Sequence, residues 1–75
     1  MTFSDARRRA MSETNKTGKH MFVYVRVEGD AAYYEVTSDN TKDGVIVGHS
    51  KVSFDGSMNT RVVFVESRLG VANHD

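Results

Sequence analysis

Four groups of side chains in this sequence could do chemistry. Asp39, Thr41, Asp43, Gly44 and Ile46 fill positions one, three, five, six and eight of an EF-hand-type loop, where alternate oxygens suit a hard cation. At position twelve Ser50 replaces the bidentate glutamate, and no helix is expected on either side. A polar loop between strands is therefore the expected reading. His20, His49 and His74 have no ligand-like spacing, and no cysteine is present to complete a zinc site. Ser50, His49 and Asp43 supply the parts of a hydrolytic triad. Adjacent residues of a regular strand point to opposite faces, however, so His49 cannot reach Ser50. No paired carboxylates, phosphate loop or dinucleotide fingerprint occurs, so the sequence predicts no enzyme, no metal and no cofactor.

The fourth group is Phe22, Tyr24, Arg26 and Tyr33. Aromatic rings beside arginine on one sheet face can stack unpaired bases, and the same residue types are enriched at protein-binding hot spots. A core or dimer face, with Arg26 stacked on Tyr33 at its rim, is the plainest account of them. A protein partner ranks next, and single-stranded nucleic acid after that. Arg7, Arg8 and Arg9 join this set as a basic arm able to meet an anionic partner.

What positions the aromatic set is a hairpin over His20 to Thr37, HMFVYVRVEGDAAYYEVT. Gly29-Asp30 sits at its centre, and glycine tolerates the positive φ that a two-residue primed turn needs. Counting back from a type II′ turn pairs Val27 with Ala32, Val25 with Tyr34 and Val23 with Val36. The other face then pairs Arg26 with Tyr33, Tyr24 with Glu35 and Phe22 with Thr37.

The flanks are less sharply drawn. Residues Thr2 to Glu13 read as a short helix with Ser4 as N-cap and Asp5 in the first turn. Its apolar stripe of Ala6, Ala10 and Met11 is thin, so residues 1–10 are expected to be separable from the fold. Thr14 to Lys19 reads as a linker and Ser38 to Gly44 as a loop. Val45 to Phe54 and Arg61 to Glu66 read as the third and fourth strands, with a bulge suggested at Gly48. Strict alternation would put Val45, Val47, Val63 and Val65 on one face and Ile46, Val62 and Phe64 on the other. No register for this second pair follows cleanly. Leu69 and Val71 leave a final strand or helical turn open. The run KHMFVYV resembles an RNA-recognition strand, but no helices separate the strands as that βαββαβ fold requires.

The expected fold is a mainly β (α+β) single domain over residues 1–75. Residues 1–19 form the basic arm and residues 20–67 a four-stranded antiparallel meander, a small curled barrel or half of a dimeric sandwich. A chain of 75 residues without cysteine has only a small core. The absence of cysteine favours a reducing, cytoplasmic setting, and no apolar run approaches the roughly 20 residues of a membrane span. Net charge is zero but segregated. Arg7, Arg8, Arg9, Lys16 and Lys19 outnumber Asp5 and Glu13 before His20, and acids outnumber bases after it. One thin helix cannot cover two apolar sheet faces, so a homodimer is expected. The function these observations predict is non-catalytic binding of another macromolecule, as an inhibitor or adaptor. Small β-rich proteins without catalytic groups include many phage and mobile-element inhibitors, anti-CRISPR proteins among them. The alternative is a single-stranded nucleic-acid binder that uses the arm and the aromatic face.

Overall fold

In the computed structural model, residues 1–56 and 59–67 are described. They form a helix α1 (Phe3–Thr17) followed by strands β1 (Met21–Glu28), β2 (Ala31–Thr37), β3 (Val45–Phe54) and β4 (Thr60–Glu66). The strands make one antiparallel sheet in the order β2-β1-β3-β4, and it does not close into a barrel. A consecutive meander would run β1-β2-β3-β4. Here two hairpins lie side by side instead, joined through β1 and β3.

The first hairpin takes the register its turn dictates. Phe22 pairs with Thr37, Val23 with Val36, Tyr24 with Glu35, and so on to Glu28 with Ala31. Gly29 has φ +61°, the left-handed value the turn requires. The second hairpin pairs His49 with Val65, Ser50 with Phe64 and Lys51 with Val63. Between β1 and β3 the register slips: Val23 faces Gly48, whereas Tyr24 faces Ile46, leaving Val47 as the extra residue. This β-bulge overturns the face assignment made by strict alternation. Val45, opposite Val25, and Val47 lie on the helix side with Val62 and Phe64. Val63 and Val65 lie on the other side with His49 and Ile46. An inserted residue reverses the parity of everything beyond it.

The helix is longer than the sequence suggested and begins at a different cap. Thr2, not Ser4, is the N-cap: its Oγ1 accepts from Asp5 N–H at 3.1 Å, while Asp5 returns a carboxylate to Thr2 N–H at 3.5 Å. This is a capping box with aspartate in the third position. The far end runs through the expected linker to Thr17. It stops at Gly18, whose φ of +75° and N–H bond to Thr14 O (2.8 Å) close the last turn.

Ala6, Ala10 and Val23 are fully buried together. Phe3, Met21, Tyr34, Val36, Val47 and Phe64 pack around them. The two alanines let the helix backbone approach the sheet, and Phe3 wedges edge-on against Tyr34 (5.6 Å) and Phe64 (5.9 Å). The stripe that looked thin is the cover of this face, so residues 1–10 are part of the fold.

One polar clasp lies inside that layer. Ser50 Oγ donates to Ala10 O at 2.8 Å and lies 2.5 Å from Thr14 Oγ1. Serine has one hydroxyl proton and the Ala10 carbonyl takes it, so Thr14 must donate to Ser50. Both residues are completely buried.

Candidate functional site

The helix covers the Val23 face, so β-strand alternation presents Phe22, Tyr24 and Arg26 on the opposite, helix-free face. Their cross-strand partners Thr37, Glu35 and Tyr33 come with them. From β3 and β4 this face gains Ile46, His49, Lys51, Val63, Val65 and Arg61. Among the described residues no second layer of helix or sheet lies on it. Phe22, Ile46, His49 and Val63 are half-buried, while Tyr33 and Val65 are 46% and 41% exposed. The result is a broad apolar surface crossed by cations.

The predicted residues meet different fates on it. Arg26 stacks its guanidinium over the Tyr33 ring, 5.5 Å from the centroid, and pairs with Glu28 at 3.2 Å, the rim arrangement foreseen from the sequence. Phe22 joins His20 and His49 in a three-ring cluster, with centroids 5.9–6.4 Å apart.

Tyr24 is not offered to a partner as a stacking platform. It is 5% exposed, and the β2–β3 loop lies over it. Its hydroxyl donates to Asp39 O at 2.9 Å, and Lys42 stands 6.0 Å above its ring. A Cβ on Gly44 would lie 3.2 Å from the ring. That loop is organised by Asp39, whose Oδ1 accepts from both Thr41 N–H (2.8 Å) and Thr41 Oγ1 (2.6 Å). These bonds from Thr41 hold the Asp39 carboxyl below its usual range. Asp39 and Thr41, two of the residues that matched a calcium pattern, thus form an Asx-type turn that clamps Tyr24.

Arg7, Arg8 and Arg9 are not brought to the aromatic face at all. They sit on the helix, across the thickness of the sheet from Phe22 and Tyr33. Arg7 covers the Phe64 ring at 5.5 Å, and Arg8 meets Asp5 at 3.6 Å on the open surface.

A groove of about 590 Å³ runs beside the first hairpin, lined among others by Tyr24, Arg26, Tyr33, Glu35, Lys42 and Asp43. Its cations are already matched. Lys42 bonds Glu35 at 2.5 Å, which raises the lysine above its ordinary value, and Arg26 holds Glu28. With Asp43 added, the groove carries no surplus positive charge for an anion.

Ser50 and His49 do point to opposite faces, Ser50 into the helix clasp and His49 into the ring cluster. Among the described residues no three histidine, aspartate or glutamate side chains converge as metal ligands. His74, with Leu69 and Val71, lies outside the described residues. No helix among the described residues is long and apolar enough to cross a membrane.

Known families, characterised proteins and solved structures yield no match to this chain. The residues that define the face are therefore all that speaks to its role. Sequence reasoning missed Val63, Val65, His49 and Lys51 as members of this face. The pairing of His49 with Phe22 and Val65, and of Lys51 with Val63, places them there, and the bulge at Val47, which Gly48 signalled, adds Ile46 to the same face.

Proposed function

We propose that this protein is a non-catalytic binding module of the inhibitor or adaptor kind, whose contact surface for another protein is the helix-free face of the sheet. The observation that carries the reading is that Phe22, Tyr33, Val63 and Val65 share one uncovered sheet face with Arg26, Lys51 and Arg61. Apolar and aromatic residues at the centre of a patch, with charge at its rim, are the composition of protein interfaces. A single-stranded nucleic-acid reading draws less support. It needs the arginine arm and the aromatic rings together, and they lie on opposite sides.

Capture from the source cell, with and without nuclease, tests this when paired with face variants. The wild-type protein and Val65→Asp and Tyr33→Ser variants serve as baits. A specific protein retained through nuclease treatment by the wild type, and lost from both variants while they remain folded, is the expected outcome. Binding that vanishes with nuclease, or that survives both substitutions, would overturn the reading.

A further inference from the structure

We propose that the His20–His49 pair is an acid-sensitive device that, when both imidazoles are protonated, loosens the junction between α1 and the sheet. His20 lies in the short connection between Gly18, which caps the helix, and Met21, which starts β1. Its ring stacks on that of His49 with centroids 6.2 Å apart and planes inclined by 21°, and Phe22 closes the cluster. His49 and Ser50 are neighbours on β3, aimed at opposite faces. Ser50 grips the helix directly through Ala10 and Thr14. His49 grips it indirectly, by holding the segment through which the chain leaves the helix.

The surroundings of His49 favour the neutral ring. Phe22 on β1 and Val65 on β4 face it from either side and carry no charge. Lys51, two residues along β3 on the same face, and His20 are the charges that act on it. Burial first, then Lys51 and His20, hold its imidazole below the ordinary histidine value. In acid, two imidazolium rings at this separation beside a lysine repel one another. Drawing the connection away from β3 relieves that repulsion and pulls on the last turn of the helix.

The direction of the pH dependence follows. The folded chain resists the proton that the unfolded chain accepts, so stability is complete above the ordinary histidine value of about 6.5. It is lost as pH falls from there through the folded value. This device operates in the isolated chain, whatever the open face binds.

NMR titration of the imidazole protons, with thermal melting at about pH 7.5 and about pH 5, tests it on the wild type and on His20→Gln, His49→Gln and His74→Gln. His49 is expected to titrate below an ordinary histidine. The melting temperature should fall in acid for the wild type and His74→Gln, and this fall should be largely lost in His49→Gln and measurably reduced in His20→Gln. Amide protection of Thr14–Thr17 should drop in acid in the wild type alone of the wild-type and His20→Gln pair. Should His49→Gln fail to fold, His20→Gln at its exposed connection decides. Acid sensitivity undiminished in His20→Gln, or unchanged protection of that last turn, would overturn the proposal.

Discussion

Ser50 shows how far a residue's role can sit from what its sequence neighbours suggest. Beside His49 it mimics a nucleophile, yet its hydroxyl is a relay between Thr14 and the Ala10 carbonyl. The partners stand 36 and 40 positions away, so nothing local betrays them. Ser50→Ala removes the acceptor of the buried Thr14 hydroxyl and the donor to the Ala10 carbonyl, and a loss of about 1–3 kcal/mol in urea unfolding is expected. Adding Thr14→Val removes the stranded group as well, so the double variant should lose less than the two single losses combined. Gly48 is the companion case. A Cβ built there would lie 2.5 Å from Phe64 Cζ and 3.1 Å from the Val65 carbonyl oxygen, so Gly48→Ala must displace the ring that packs against Phe3. A similar loss, about 1–3 kcal/mol, is expected by the same measurement.

Among the elements, the first hairpin was fully legible and the second was not, for one physical reason. A two-residue turn with Gly29 at positive φ leaves no freedom in the pairing that follows. Gly29→Val forces a β-branched side chain into that conformation and should cost on the order of 1–3 kcal/mol. An unchanged urea midpoint would show that the turn has another geometry. The β3–β4 connection is longer, so its turn does not dictate the unbroken pairing that follows, and the bulge at Val47 separately hides how β3 meets β1. Helix α1 was legible in existence but not in weight. Its two alanines read as a weak stripe because they are small, and smallness is what allows the close approach to Val23. Deleting residues 1–10 removes Phe3, Ala6 and Ala10 from the core, and is expected to abolish cooperative melting in circular dichroism. A deletion variant that melts as the full chain does would return the helix to the status of a detachable arm.

At the scale of the whole molecule, one face of the sheet is closed by its own helix, and the other carries no second layer among the described residues. The size of that face bears on which partner. Four strands at about 4.8 Å spacing and seven residues at about 3.3 Å span roughly 400–500 Å² in projection. A standard interface takes about 800 Å² from each side, so any protein that meets this face alone, a second copy included, would associate weakly unless the contact extends beyond it. Sedimentation equilibrium should accordingly show a monomer of 8.4 kDa at low micromolar concentration, with dimer emerging only well above it. A constant dimer mass down to the lowest concentration would mean that the interface extends to the strand edges. The strand order has a kinetic side as well. Each hairpin closes a short loop and can form on its own within microseconds, whereas the β1–β3 seam joins residues such as Met21 and Ser50 that are far apart in the chain. The barrier to folding should therefore lie in zipping that seam. Val23→Ala beside the bulge should slow refolding markedly, while substitutions at the hairpin tip, such as Val27→Ala, should leave the refolding arm of the chevron nearly where it was.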